Sequence, residues 1–310
     1  MFSVVFPGQG SQSVGMGAEL YKNFSYVKDL FNNADEILGL NLTKIILEGP
    51  KENLDLTEFT QPAIFLISYS IFEVIKNETK LDFLKAKYFA GHSLGEYSAL
   101  ACSGAIKFEY AIKLLQKRGK AMQMSMPKGK GGMIAILGSD IDKIKNLLIE
   151  NENKYKCYIA NDNSVGQIVV SGEIENLNLM SLDLKKNSIK NIKLPVSAPF
   201  HCPLMFKATE VMKEEINKTE FNTSNPSIIS NVTGEEVNDV DKIKELLIKQ
   251  IESPVRWRES VLYMKAKGVK KIIEIGPGKV LSGLIKRIDR SLFSVSLNTD
   301  DEIKNFNLND

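Results

Sequence analysis

The sequence FAGHSLGEYSAL, residues 89–100, is the most informative part of the chain, because it places a serine between two glycines after a short apolar run. Residues 87–90 predict a strand, and residues 94–105 predict the helix that leaves the turn. A G-x-S-x-G turn in this context holds its serine on a sharp bend, with the next backbone N–H facing the same space. Ser93 is therefore a candidate nucleophile, and the alternative is a hydroxyl in an ordinary glycine-rich bend.

Strands and helices alternate on both sides of this turn, which is typical of a mostly parallel α/β sheet. The predicted elements of this part are strands at 2–6, 227–230, 271–275 and 292–295, and helices at 62–75, 108–124, from 203, around 242–251, around 255–267, and at 280–288. Residues 133–196 instead follow the order strand, helix, strand, strand, helix, strand, which is typical of a ferredoxin-like domain. These elements are strands at 133–137, 156–160, 167–171 and 189–196 and helices at 140–150 and 174–186.

The predicted fold class is therefore α/β, with two domains. Residues 1–124 and 198–310 are predicted to form a large, discontinuous α/β-hydrolase-like domain, and residues 125–197 a small ferredoxin-like domain inserted into it. The polar last ten residues are expected to fray.

Composition excludes several classes of protein. Hydrophobic residues make up 43% and charged residues 25% of the 310, which is ordinary for a folded globular chain. The 40 Lys and Arg nearly balance the 38 Asp and Glu, so no overall field favours nucleic acid. The three cysteines have no metal-binding or disulfide spacing, and no apolar stretch is long enough to span a bilayer. We expect a cytoplasmic protein without a metal or membrane partner.

The chain contains only two histidines, His92 and His201, and a serine nucleophile needs a base for which imidazole is the usual choice. If Ser93 is catalytic, one of these two is its base. His92 neighbours Ser93 in sequence, so its side chain is expected to leave the bend in another direction. His201 follows the rigid Ala198-Pro199-Phe200 approach, which suits a side chain held at a cleft, although a simple loop histidine is the alternative.

Taken together, the motifs resemble the malonyl-CoA:acyl carrier protein transacylase family of fatty acid synthesis. The matching stretches run nearly end to end: FPGQGSQSVGMG (6–17), TQPAIF (60–65), GHSLGEYSAL (91–100), KRGKAMQ around Arg118, VSAPFHCPLM (196–205), SPVRW (253–257) and EIGPGKVLSGLIKR (274–287). The resemblance implies a malonyl-serine intermediate, malonyl-CoA and acyl carrier protein as partners, and no cofactor. It also agrees with the predicted insertion of one domain into another.

The resemblance implies a role for individual residues. Ser93 matches the acylated nucleophile and His201 its base, while the backbone N–H groups of Gln9 and Leu94 match the oxyanion hole. A dinucleotide-binding fingerprint at Gly8-Gln9-Gly10 is excluded, since Ser13 stands in place of its third glycine.

Arg118 matches the arginine that pairs with the malonyl carboxylate, for which a guanidinium offers two parallel donors. Taken alone, its helical pattern places Arg118 on the solvated face with Lys113 and Lys117. The main-chain carbonyl of Gln250 matches the group that orients the histidine in place of a triad aspartate.

Four further residues are pocket candidates: Gln61, His92, Asn161 and Phe200. In related polyketide acyltransferases a phenylalanine before the histidine accompanies malonyl, and the APFH motif here carries half of that signature. We expect a monomer that transfers malonyl by a ping-pong reaction. The alternatives are a serine esterase on the same scaffold, which usually shows an acidic triad member, and a non-catalytic carrier-binding module.

Overall fold

The computed structural model describes residues 1–196 and 198–307. Its strands are β1 (Phe2–Phe6), β2 (Tyr88–Gly91), β3 (Gly131–Leu137), β4 (Tyr158–Ser164), β5 (Gln167–Glu173), β6 (Lys190–Lys193), β7 (Ser227–Ile229), β8 (Glu236–Val237), β9 (Lys271–Ile275) and β10 (Phe293–Leu297). Its helices are α1 (Ala18–Asn23), α2 (Ser25–Leu38), α3 (Leu42–Leu47), α4 (Lys51–Leu54), α5 (Thr57–Glu78), α6 (Gly95–Cys102), α7 (Phe108–Met124), α8 (Ile141–Glu150), α9 (Glu152–Tyr155), α10 (Ile174–Lys186), α11 (Phe206–Lys218), α12 (Val240–Gln250), α13 (Trp257–Ala266), α14 (Val280–Ile288) and α15 (Asp300–Lys304). Short 3₁₀ turns lie at Phe83–Lys85 and Pro203–Met205.

The larger sheet has six strands in the order β10-β9-β1-β2-β7-β8. Every neighbouring pair is parallel except β7 and β8. All five residues of β1 are buried, because the strand is covered on both faces. Its mostly apolar sequence, FSVVF, is typical of such a strand. The predicted mostly parallel α/β sheet is confirmed.

The smaller sheet has four antiparallel strands in the order β4-β5-β3-β6, and all of them fall between Gly131 and Lys193. With α8 after β3 and α10 after β5, this is the ferredoxin-like arrangement that the sequence predicted, packed around a core of its own. The predicted boundaries between the domains stay a prediction. Residue 197 and the terminal residues 308–310 lie outside the described part.

The structure differs from the predicted elements in several places, among them the predicted strand at 189–196, which is only Lys190–Lys193. Strand β4 was expected at 156–160 but runs from Tyr158 through polar residues to Ser164, because it pairs with β5 as far as Ser164. Asp162 N also donates to Val255 O, and Val255 N donates to Ala160 O. β8 was not predicted. The expected frayed tail begins instead with helix α15, which Thr299 and Glu302 start with a reciprocal capping box.

The carboxyl ends of three parallel strands position the site. β1 leads into Gln9, β2 into Ser93 and β7 into Asn231, so these residues meet at one edge of the larger sheet. Ligands of open α/β sheets bind at this edge. The backbone pairing of β4 with Val255 attaches the small domain beside it.

Candidate active site

Ser93 occupies a strained turn between β2 and α6. Its φ of 54° lies in the left-handed region, which L-residues rarely adopt. The flanking glycines allow strand and helix to approach closely. A Cβ on Gly91 would lie 1.9 Å from the backbone of Gly95, and one on Gly95 would lie 2.2 Å from the carbonyl oxygen of Phe6. Close packing therefore requires glycine at both positions, and the sharp turn at Ser93 depends on them.

Asn231, which follows β7, stabilises this turn by hydrogen bonds to its backbone. Its Oδ1 accepts a 2.7 Å hydrogen bond from the backbone N–H of Ser93, and its Nδ2 donates at 2.7 Å to the carbonyl of Gly91. Asn231 was not among the residues predicted from the sequence. The available signal was its place directly after a predicted strand of the parallel sheet, where functional side chains collect.

His201 and Gln250 complete a chain of hydrogen bonds that starts at Ser93. Ser93 Oγ lies 2.8 Å from His201 Nε2, and His201 Nδ1 lies 2.8 Å from the backbone carbonyl of Gln250. Since a carbonyl only accepts, Nδ1 carries the proton and Nε2 is left to accept from the serine hydroxyl. The arrangement supplies a general base in the required tautomer without an acidic residue.

The electrostatics of the site keep His201 neutral. Burial, together with the positive charge of Arg118, lowers the pKa of His201 to about 3, and the hydrogen bond to the Gln250 carbonyl opposes this shift only in part. A neutral imidazole is the form that can take a proton from Ser93.

Arg118 is buried, with 1% of its surface exposed, so the solvated helix face expected from its pattern is wrong. Nη1 donates at 2.8 Å to Gln61 Oε1, and Nη2 donates at 2.8 Å to Gln250 Oε1. Nη2 also lies 3.1 Å from Ser93 Oγ. Helix α7 packs this face against α5, which carries Gln61, and Gln250 at the end of α12 supplies the second amide oxygen.

Within the described residues, the guanidinium of Arg118 has no direct anionic partner. Among residues 1–196 and 198–307 it forms no ion pair, and its Nε has no hydrogen-bond partner. Burial lowers the pKa of Arg118, yet an arginine stays protonated in proteins. A buried positive charge held by neutral amides favours an incoming anion.

These groups surround a cavity of about 140 Å³. Nine of the ten residues singled out from the sequence line it: Gln9, Gln61, His92, Ser93, Leu94, Arg118, Asn161, Phe200 and His201. The tenth, Gln250, lies behind His201 and Arg118 and contacts both. Residues of the small domain, among them Met133 and Val169, close the other side.

Gln9 and Leu94 present backbone N–H groups near the serine. Neither N–H donates a hydrogen bond within the described part of the chain, and both residues line the cavity beside Ser93. Two such donors would suit an oxygen that becomes negatively charged during acyl transfer.

The remaining pocket candidates line the cavity and are fixed by hydrogen bonds to neighbouring residues. His92 turns away from Ser93, and its Nε2 lies 2.8 Å from Asn163 Oδ1, with burial lowering its pKa. Asn161 forms the backbone bridge to Val255, and the carbonyl of Phe200 accepts from the hydroxyl of Ser171. Asn163 is a further residue that sequence analysis missed.

No group of three or more His, Cys, Asp or Glu side chains suitable for a metal ion occurs within residues 1–196 and 198–307. No helix in the same residues combines the length and apolarity needed to cross a membrane.

The site combines a serine nucleophile with a histidine base, on an α/β fold with an inserted ferredoxin-like domain. These features are typical of enzymes that transfer acyl groups. The acyl transferase domain family matches residues 3–301. The chain therefore belongs to the acyl transferase domain family. The resemblance inferred from the motifs is confirmed.

Relatives make the comparison more specific. The malonyl CoA-acyl carrier protein transacylase of Bacillus subtilis (strain 168) is 42% identical over 302 residues, which cover 97% of this chain and 94% of the relative. The crystal structure of acyl-carrier-protein-S-malonyltransferase from Bartonella henselae superimposes with a TM-score of 0.94 at 37% identity, covering 98% of this chain and 97% of that one. A malonyl-transacylase in complex with its type II PKS acyl-carrier protein (PlMCAT:AntF, holo) gives a TM-score of 0.93 at 37% identity, with coverage of 98% and 97%.

Proposed function

We propose that this enzyme transfers a malonyl group from malonyl-CoA to the phosphopantetheine thiol of acyl carrier protein, supplying fatty acid synthesis. The observation that carries the proposal is the guanidinium of Arg118, buried and without an ion-pair partner in the described residues, 3.1 Å from Ser93 Oγ. In a malonyl ester of Ser93, one methylene separates the ester carbonyl from the free carboxylate. A carboxylate clamp must therefore lie close to the nucleophile, as Arg118 does.

In the first half-reaction, Ser93 Oγ attacks the thioester carbonyl of malonyl-CoA and its proton passes to His201 Nε2. The N–H groups of Gln9 and Leu94 stabilise the oxyanion of the tetrahedral intermediate. The C–S bond then breaks, and His201 returns the proton to the sulfur of CoA. The product is a malonyl-serine ester whose carboxylate pairs with Arg118.

The second half-reaction reverses these steps with a different thiol. The phosphopantetheine thiol of acyl carrier protein gives its proton to His201 Nε2 as sulfur attacks the ester carbonyl. The C–O bond to Ser93 breaks, and His201 returns the proton to Ser93 Oγ. The reaction balances without a cofactor, and the absence of a resident cofactor stays a prediction, as do the monomeric state and the cytoplasmic location.

Intact-protein mass spectrometry tests the proposal. Mixing the enzyme with malonyl-CoA should add the mass of one malonyl group, and adding holo acyl carrier protein should remove it and leave malonyl on the carrier. Ser93→Ala should give no adduct, while Ser98→Ala on the same helix should behave like the unsubstituted enzyme. If malonate is instead released to water as fast with the carrier as without it, the protein is an esterase.

A further inference from the structure

Glu96 is a buried acid that the reaction described above does not use. It lies in the first turn of α6, one helical turn beyond Ser93, and is 2% exposed. Its Oε2 accepts hydrogen bonds from the backbone N–H of Asn231 at 3.1 Å and from Gln250 Nε2 at 2.7 Å. It is not among the residues that line the cavity, so any effect on substrate must pass through a neighbour.

The side chain of Gln250 is that neighbour. Its Nε2 donates both to Glu96 Oε2 and, at 3.1 Å, to the carbonyl oxygen of Ser93. Its Oε1 accepts from Arg118 Nη2 at 2.8 Å. The contact with His201 uses the backbone carbonyl of Gln250 instead, so the side chain and the main chain of this residue serve two different partners.

The donor and acceptor chemistry allows one orientation of the Gln250 amide. An ionised carboxylate and a carbonyl only accept, so Glu96 and Ser93 both need the NH₂ end of the amide. A guanidinium only donates, so Arg118 needs the oxygen end. A reversed amide would set oxygen against the carboxylate and NH₂ against the guanidinium.

We propose that Glu96 is a positioning residue that, through the side-chain amide of Gln250, holds Arg118 beside Ser93 for acyl groups that carry a carboxylate. The inference rests on the proposed malonyl transfer and adds a residue that controls its selectivity. The charge of Glu96 also offsets that of Arg118 across the amide before substrate arrives.

The ionisation of Glu96 sets the condition for a test. Burial raises the pKa of Glu96 to about 7, against the opposing effects of Gln250, Asn231 and Arg118. Assays at about pH 8 therefore examine the ionised, accept-only form.

Glu96 also contacts Asn231, which braces the Ser93 turn, so a merely structural role must be distinguished. Damage to the turn would slow acylation by every acyl group equally. Loss of Arg118 positioning would slow only acylation by groups with a carboxylate. The informative readout is the ratio of kcat/KM for acylation of Ser93 by malonyl-CoA to that by acetyl-CoA.

Four variants complete the experiment. Glu96→Ala and Gln250→Leu should each lower the ratio by about 10- to 100-fold, as expected when a buried charged group loses a hydrogen-bond partner. Glu96→Gln keeps an acceptor oxygen for both donors and should restore most of the ratio. Ser98→Ala changes a buried hydroxyl on the same helix and should leave the ratio unchanged.

An equal loss for both substrates in Glu96→Ala, an unchanged ratio in Gln250→Leu, or a Glu96→Gln variant as impaired as Glu96→Ala would each overturn the inference. If Glu96→Ala does not fold, an unchanged ratio in Gln250→Leu still overturns the inference. Acylation of the unsubstituted enzyme is measured first. Its absence refutes the proposed function, whereas normal acylation with an unchanged ratio refutes only the role of Glu96.

Discussion

Replacement of Arg118 by methionine removes the guanidinium while keeping much of the side-chain volume. The malonyl carboxylate would then enter a buried site without a charged partner, because no other cation is hydrogen-bonded to Ser93 or His201 within residues 1–196 and 198–307. Leaving one partner of a buried ion pair alone costs about 3 to 5 kcal/mol. At 1.36 kcal/mol for each factor of ten, kcat/KM for malonyl-CoA should fall by roughly two to four powers of ten.

Acetyl-CoA carries no carboxylate, so its kcat/KM should change far less in the same variant. Single-turnover acylation followed by intact mass spectrometry measures both substrates on one preparation. Lys117→Met is the matched control, since Lys117 lies on the same helix with its side chain half exposed and paired with Glu215 on the surface. Comparable losses for malonyl and acetyl groups would refute the assignment of Arg118 as the carboxylate clamp.

Four more predictions concern stability. Gly95→Ala should lower the free energy of unfolding by about 3 kcal/mol or more, because its Cβ would meet the β1 backbone. Gly283 has open space around it within its helix, so Gly283→Ala should raise the free energy of unfolding by up to about 1 kcal/mol. Thermal unfolding of the two variants checks both predictions. The pKa of His201 is about 3 when folded and near 6.5 when unfolded, so protonation favours the unfolded chain as pH falls below 6.5. In urea titrations at pH 7.5 and 5, the wild type should lose about 2 kcal/mol more than His201→Gln, and equal losses would contradict a buried neutral imidazole. Asp162→Ala removes a bidentate contact between β4 and Arg258 and should cost about 2 to 3 kcal/mol, whereas an unchanged midpoint would show that this contact does not hold the domains together.

The order of strands and helices could be predicted because local apolar patterns carry it. The run FSVVF, the glycines around Ser93 and the β-α-β-β-α-β order of the insertion are each visible within a few residues. Elements whose stability comes from distant partners were harder to predict. The second half of β4 is polar in sequence; it pairs with β5, and Val255 and Arg258, which are distant in sequence, add a backbone bridge and an ion pair to it.

The nucleophile turn, the two histidines available as a base and the motifs that carry the resemblance could all be identified from the sequence alone. It did not determine that Arg118 is buried, because periodicity assigns a charged residue to the solvated face of an amphipathic helix. Arg118 is buried because the fold brings amide oxygens 57 and 132 residues away within hydrogen-bond distance of the guanidinium. Asn231 and Glu96 gained their positions in the same way. Long-range hydrogen bonds depend on how separate strands and helices pack, and local sequence patterns do not specify that packing.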